Sequence, residues 1–208
     1  MRGKSAQVGY RASEVAKVAR VLPSTVRFWA GRWGGRLIRP GVEDKGIAGS
    51  RKLFSAANIV EVRVAQVLLE AGIARARVAN IMAIRWPPAG GADWFDPLHP
   101  VGQVSALMVI REPPAAGTGR VFLSGDDEEE PPSHRSWVGA VIHAVGKEFE
   151  LIRVDVPDGW QPRSPEDEPR WRELKGARVI WLVNVRKIRD DIRARLQAGA
   201  LRRDVLYS

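Results

Sequence analysis

The spacing of apolar residues divides the chain into a helical first part and a strand-rich second part. Up to about residue 84, apolar side chains recur every three or four positions, as at Val15, Ala16 and Ala19, which is the period of an amphipathic helix. Pro, Gly and Ser residues interrupt this period where helices start or stop. The pattern predicts four helices: from an N-cap at Ser13 to the break at Val21–Pro23, from Pro23 to Arg32, from Ala56 to Ala71 and from Ala74 to Ile84.

Two short extended runs lie between the second and third predicted helices. They are Leu37–Pro40 and Arg51–Phe54, and the segment between them is rich in Gly and charge. Such a pattern is typical of a β-hairpin. Ser55 then acts as the N-cap of the third helix, and Gly72 ends that helix.

The second part of the chain begins after a Pro- and Gly-rich break at Pro87–Gly91. Short runs of Val, Ile and Leu follow, which favour strands. The predicted strands are Val104–Arg111, Arg120–Ser124, Trp137–Val145, Glu150–Val156 and Val179–Val185. Four tryptophans of this part are interpreted as core residues rather than the lining of a ligand pocket: Trp137, Trp160, Trp171 and Trp181.

A last helix is predicted over Arg186–Arg203, with Ile188, Ile192 and Leu196 on one narrow apolar stripe. Two interpretations of this stripe remain open. It packs on the sheet of its own chain, or it pairs with the same helix of a second subunit. In the second case, deletion of the helix is expected to leave residues 1–85 folded.

The basic charge of the chain is concentrated in its first part. The full chain carries a formal net charge of +9, and residues 1–85 alone hold 16 Lys and Arg against 5 Asp and Glu, a net of +11. This segregation indicates an anionic partner, either a nucleic acid or a membrane surface. Most of the basic residues are Arg, whose planar guanidinium fits phosphate groups and guanine edges.

Composition and motifs exclude several other classes of protein. No apolar run reaches the ~20 residues of a membrane-spanning helix, and no secretory signal is recognisable, so we expect a cytoplasmic protein. The 0 cysteines exclude disulfides, thiolate metal sites and cysteine nucleophiles. The histidines His99, His134 and His143 lack the spacing of metal ligands, and no phosphate-binding loop or nucleophile elbow is present. We expect neither an enzyme nor a cofactor.

Two helices separated by a three-residue break have the spacing of a helix-turn-helix. Ala16, Val21 and Val26 supply the small residue at the helix crossing, the apolar residue in the turn and the buried residue of the second helix. For these three positions alone, a simple helical hairpin is the alternative. Phe28 and Trp29 are expected to pack in the core or against the hairpin. The polar residues left to project outward are Ser24, Thr25, Arg27 and Arg32.

Four segments in order resemble the MerR-type winged helix-turn-helix family. Residues 16–29, AKVARVLPSTVRFW, are similar to its helix-turn-helix, with an Ala, a break, a Pro/Ser/Thr segment, an Arg and two aromatics. Leu37–Pro40 resembles the start of its wing, Arg51–Ile59 the end of the wing and the next helix, and Leu69–Ile73 the hinge before its fourth helix. The resemblance covers about residues 8–84, and the C-terminal half resembles no family that we recognise.

The sequence departs from the family pattern at identifiable places. Arg20 occupies a turn position usually held by Gly, and Leu22 replaces the usual polar cap of the recognition helix. Ala30–Arg36 is longer and more basic than the usual link to the wing. Pro87 and Pro88 interrupt the long dimerisation helix that normally follows, so the family's mode of dimerisation is not carried over.

The resemblance of residues 8–84 and the predicted strands of the second part together indicate an α+β fold. Residues 1–85 form a winged helix-turn-helix, mostly α with a β-hairpin wing, and residues 86–100 form a Pro/Gly-rich linker. Residues 101–208 form a small β-rich α+β domain with a C-terminal helix, which is expected to sense a small molecule, dimerise or contact a protein partner.

The resemblance further implies sequence-specific binding of double-stranded DNA by a transcription regulator of prokaryotic or phage type, associated with the nucleoid. The alternative is a DNA-packaging, recombination-directionality or nucleoid-associated module that recruits a partner through its C-terminal domain. The second helix of the helix-turn-helix would lie in the major groove as the recognition helix, the wing on phosphate or the minor groove, and Lys17 and Arg20 on the DNA backbone. The expected DNA-binding residues are Lys17, Arg20, Ser24, Thr25, Arg27, Arg32, Arg39, Arg51 and Lys52.

Overall fold

The computed structural model describes residues 8–31, 37–40, 42–43, 52–83, 95, 97, 104–111, 121–125, 149–155, 179–198 and 204–205. The chain divides into two units, one formed by Met1–Gln103 with Ile188–Ser208 and the other by Val104–Lys187. Elements within residues 1–103 are β1 (Val8–Gly9), α1 (Ala12–Ala19), α2 (Pro23–Ala30), β2 (Val42–Glu43), β3 (Lys52–Leu53), α3 (Ala56–Glu70) and α4 (Arg75–Ala83). Later elements are β4 (Val104–Arg111), β5 (Val121–Gly125), β6 (Leu151–Asp155), β7 (Val179–Val183), α5 (Val185–Gln197) and β8 (Asp204–Val205).

The central element of the first unit is α3. The predicted stripe of Val60, Val64 and Val67 is buried, and burial extends to Ile59 and Val62 on other sides of the helix. A helix that is apolar around most of its circumference forms the interior of a unit rather than its surface. The caps are those that the sequence predicts, because Ser55 begins the helix and Gly72 follows it with a φ of +78°.

The first two helices are short and differ slightly from their predicted bounds. α1 begins at Ala12 rather than after an N-cap at Ser13, since the Glu14 carboxylate accepts a 2.6 Å hydrogen bond from the backbone N–H of Arg11. α2 begins at Pro23 as predicted, where the missing N–H costs nothing. It ends at Ala30, because Gly31 adopts an extended conformation.

The hairpin forms with a different first strand from the one predicted. β2 and β3 are antiparallel, with Val42 opposite Leu53. The apolar run at Leu37 and Ile38 is buried instead of paired with β3, and the backbone N–H of Ile38 donates to the Trp29 carbonyl at 3.4 Å. These two residues therefore extend the core beyond the end of α2.

The second unit contains a four-stranded antiparallel sheet in the order β5–β4–β7–β6. Its central strand β7 is a nearly continuous apolar run, and Ile180 and Leu182 are fully buried. Trp181 is buried as well, as predicted for a core residue. The predicted strand Trp137–Val145, the other three tryptophans of this part and all of the linker except residues 95 and 97 lie outside the described residues.

The C-terminal helix α5 is buried against its own chain. The Oδ1 atom of Asn184 caps it by accepting from the Lys187 N–H at 3.0 Å. The predicted stripe of Ile188, Ile192 and Leu196 is buried within a single chain, so a second copy cannot reach it in this conformation. The structure therefore does not support self-pairing through this stripe. The helix ends at Gln197, before the predicted Arg203.

The C-terminal segment belongs to the helical unit. The Nη1 atom of Arg195 donates a 2.6 Å hydrogen bond to the Val18 carbonyl in α1. β8 pairs with β1 in antiparallel register, Val205 opposite Val8. The domain boundaries predicted from the sequence instead group residues 188–208 with the β-rich part. Among the described residues, no helix is long and apolar enough to cross a membrane.

Candidate nucleic-acid interface

The junction of α1 and α2 has the geometry of a helix-turn-helix. Ala16 and Val26 are both fully buried where the two helices pack together. The N–H of Val21 donates to the Ala16 carbonyl at 3.0 Å, which closes the turn over the end of α1. Ala16 and Val26 thus have their expected structural roles, and Val21 lies half-buried in the turn.

Arg20 sets the direction of this turn. It follows α1 with φ 60° and ψ 45°, the left-handed conformation that commonly ends a helix, and is the one non-Gly residue with positive φ in the described part of the chain. Its side chain is exposed. The family that the sequence resembles usually has Gly at this position, whereas this chain adopts the left-handed conformation with an arginine.

The outer surface of α2 presents polar and basic side chains. Ser24 and Arg27 are exposed, and their spacing of three residues places them on one face of the helix. Thr25 is half-buried at the edge of that face. Trp29 is buried as expected, whereas Phe28 is 46% exposed and so does not lie in the core, one of the two positions expected for it. Its position next to Arg27 and four residues after Ser24 turns it to the outside.

A second basic residue reaches the same surface from α4. The guanidinium carbon of Arg75 lies 4.3 Å from the centre of the Phe28 ring, a cation–π distance. Arg75 is the first residue of α4 and is half-buried. Arg75 is not among the DNA-binding residues expected from the sequence. The basic spacing of Arg75 and Arg77 was a signal, but only the contact between Arg75 and Phe28 relates this charge to α2.

Arg39 is held by the first turn of α3. Its side chain is exposed, while its backbone carbonyl accepts a 2.9 Å hydrogen bond from Nδ2 of Asn58. Asn58 is buried and also completes the cap of α3, where its Oδ1 accepts from the Ser55 N–H at 3.0 Å. Its Nδ2 further donates to Oε2 of Glu61 at 2.8 Å. One amide side chain thus connects the segment after α2 to the central helix.

The remaining predicted DNA-binding residues differ in how far the structure describes them. Lys17 is exposed on α1. Lys52 lies in β3, with its backbone opposite Glu43. Arg32 and Arg51 lie outside the described residues. Within the described ranges, no cluster of three or more His, Asp or Glu residues has the arrangement of a metal site.

Comparison with known proteins agrees with this geometry. Residues 10–83 match the family model described as MerR HTH family regulatory protein, which confirms the resemblance seen in the sequence. The match starts two residues before α1 and ends with the last residue of α4, so it leaves the C-terminal region without a family. No curated protein matches the chain.

Proposed function

We propose that this chain, whose residues 10–83 carry the helix-turn-helix of the MerR family of regulatory proteins, is a sequence-specific double-stranded DNA-binding protein that regulates transcription. The observation that carries the proposal is the surface of α2, where exposed Ser24 and Arg27 stand on a helix fixed by a closed turn. Such a surface suits the edge of a major groove. The proposal assigns no catalytic step and no cofactor to the chain.

The proposal gives the basic residues separate roles. Arg27 contacts a base edge from α2, where a guanidinium can donate two hydrogen bonds to guanine. Lys17 and Arg20, exposed on α1 and its turn, bind the phosphate backbone. Arg39 and the hairpin β2–β3 bind a neighbouring stretch of backbone or minor groove. Phosphate contacts position the protein, and base contacts supply the specificity.

We propose that the sheet formed by β4, β5, β6 and β7 binds a small-molecule or protein effector. Because the apolar stripe of α5 is buried within its own chain, a homodimer would have to form through another surface. We expect a palindromic target if the active form is a homodimer, because a two-fold protein binds two half-sites. The mass of the protein on such a duplex, measured by sedimentation, distinguishes one copy from two.

A first test measures binding to random duplex DNA as the salt concentration rises. The net charge of +11 on residues 1–85 supports neutralisation of about 4–8 phosphates, which predicts a log–log slope of roughly −4 to −7 per monomer. Fluorescence anisotropy with a labelled duplex gives the slope. A salt-independent affinity, or no duplex binding at low salt, would contradict the proposal.

A second test separates specific from non-specific binding. Arg27→Ala is expected to weaken binding to a selected duplex by about 1–3 kcal/mol and to affect scrambled duplex less, because it removes a base contact. Arg153→Ala is the matched control, since it removes an equally charged, exposed Arg from β6. Equal losses on selected and scrambled DNA would refute the role of Arg27.

Capture of DNA bound in cells tests the regulatory part of the proposal. A transcription regulator of a cytoplasmic, nucleoid-associated type should occupy a small number of short sites near promoters. A packaging or nucleoid-associated protein would cover many sites with little sequence preference, and that result would replace the proposed function by the alternative.

A further inference from the structure

Leu22 is a large apolar side chain exposed at the start of the recognition helix. It is the N-cap of α2, in extended backbone with φ −77° and ψ 143°, and is 68% exposed. Its carbonyl accepts hydrogen bonds from the N–H groups of Thr25 and Val26, at 3.0 and 3.3 Å. The position of Leu22 is therefore fixed relative to the helix, although its side chain is in solvent.

Leucine is unfavourable at this position for two independent reasons. A Leu side chain cannot accept the hydrogen bonds that Ser, Thr, Asp or Asn would accept from the first N–H groups of a helix, and α2 has no side-chain cap. The exposed isobutyl group also gains nothing from burial in the folded chain. Leu22 stabilises neither the start of α2 nor the core, which indicates that its side chain contacts a binding partner.

The position of Leu22 restricts what that use is. In a helix-turn-helix, the N-terminal residues of the second helix meet the base edges of the major groove. The apolar group that a base edge offers there is the C5-methyl group of thymine. We propose that Leu22 reads a thymine through contact with this methyl group, an inference that rests on the proposed DNA binding.

Phe28, the other exposed apolar residue of α2, is a weaker candidate for this contact. Its ring is already covered on one side by the guanidinium of Arg75, 4.3 Å from the ring centre. It also lies near the end of α2 rather than at its start. Leu22 therefore carries the apolar part of base recognition, and Arg27 supplies the proposed hydrogen bonds.

The test compares thymine with deoxyuridine, which differs from thymine only by lacking the methyl group. Duplexes are first selected by binding to the full chain, and each thymine of the selected site is then replaced in turn. For each recognition helix we expect one thymine whose replacement by deoxyuridine weakens binding of the wild-type protein about fourfold. This factor corresponds to the burial of one methyl group. In Leu22→Ala, thymine and deoxyuridine at that position should bind equally.

Two further variants separate base reading from support of the helix. Leu22→Ser removes the isobutyl group but supplies a capping hydroxyl, so it should raise the melting temperature while it abolishes discrimination against deoxyuridine. Phe149→Ala removes an exposed apolar side chain of similar exposure (56%) just before β6, and it should keep the wild-type discrimination.

The outcomes distinguish this inference from the proposed function. Undiminished discrimination in Leu22→Ala, or a selected site where no thymine methyl affects binding, would overturn the role of Leu22 and leave DNA binding intact. A wild-type protein that binds no duplex would overturn the proposed function, and this inference with it.

Discussion

At the scale of single residues, Arg20 shows a conflict between backbone and side chain. A non-Gly residue in the left-handed region costs about 1–2 kcal/mol, and Arg20 adopts φ 60°. Gly would adopt this conformation at no steric cost. The arginine is understandable if its exposed side chain binds a phosphate, which Gly cannot do.

Arg20→Gly is therefore expected to change stability and DNA affinity in opposite directions. The free energy of unfolding should rise by about 0.5–1 kcal/mol, since relief of the left-handed strain exceeds the extra entropy of an unfolded Gly. Duplex affinity should fall several-fold because one phosphate contact is lost. Urea denaturation and anisotropy titration measure the two effects.

Arg20→Ala is the control, since it removes the charge but keeps a Cβ in the left-handed region. It should lose the same affinity without gaining stability. A destabilised Arg20→Gly would contradict the turn geometry, and an unchanged affinity would contradict the phosphate contact.

At the scale of elements, the start of α3 depends on one buried amide. Asn58 accepts from the Ser55 N–H and donates to the Arg39 carbonyl and to Glu61. A part-buried carbonyl that loses its donor bears part of the cost of its desolvation. The amide therefore stabilises both the helix start and the segment that carries Arg39.

Asn58→Ala should lower the free energy of unfolding by about 2–4 kcal/mol, because it removes the cap and leaves the Arg39 carbonyl without this partner. Ser55→Ala is the matched comparison, and the loss of its capping bond should cost about 1 kcal/mol. Chemical denaturation of both variants gives the difference. Equal losses would mean that the bond to Arg39 adds nothing.

At the scale of the whole molecule, the C-terminal segment is part of the helical unit. The Arg195 side chain reaches the Val18 carbonyl, β8 pairs with β1, and the apolar stripe of α5 is buried. The carbonyl of Val18 lies in the last turn of α1, where helix carbonyls have no partner within the helix. The C-terminal segment thus supports α1, the helix that precedes α2.

Deletion of Ile188–Ser208 should destabilise the helix-turn-helix, in contrast to the expectation from sequence that residues 1–85 would stay folded. The melting temperature should fall, and limited proteolysis should cut within α1 and α2 sooner than in the full chain. An unchanged melting temperature for the truncated chain would refute this support.

A point variant tests the same contact without removing a segment. Arg195→Ala should cost about 1.5–3 kcal/mol, the range for hydrogen bonds of charged groups. Arg186→Ala, at an exposed position on the same helix, should cost much less. Equal effects of the two variants would show that the bond to Val18 contributes little to the stability of α1.

Features that depend on local spacing can be read from the order of residues alone. The helices of residues 12–83, the Ser55 cap, the Pro23 start and the buried Ala16 follow from periodicity and from caps, which act within a few residues of the chain. The match of residues 10–83 to a MerR family model has the same origin, a run of local motifs in order. The exposed Ser24 and Arg27 were predicted for this reason.

Contacts between segments far apart in the chain follow from the three-dimensional fold and not from any local pattern. The fold brought Arg75 onto Phe28, placed Leu37 and Ile38 in the core instead of a strand, and joined α5 to α1 through Arg195. The apolar stripe of α5 was equally compatible with its own chain or with a second copy, because an amphipathic pattern states that a face is buried but not what covers it. That choice depends on the shape of surfaces formed by residues far apart in sequence.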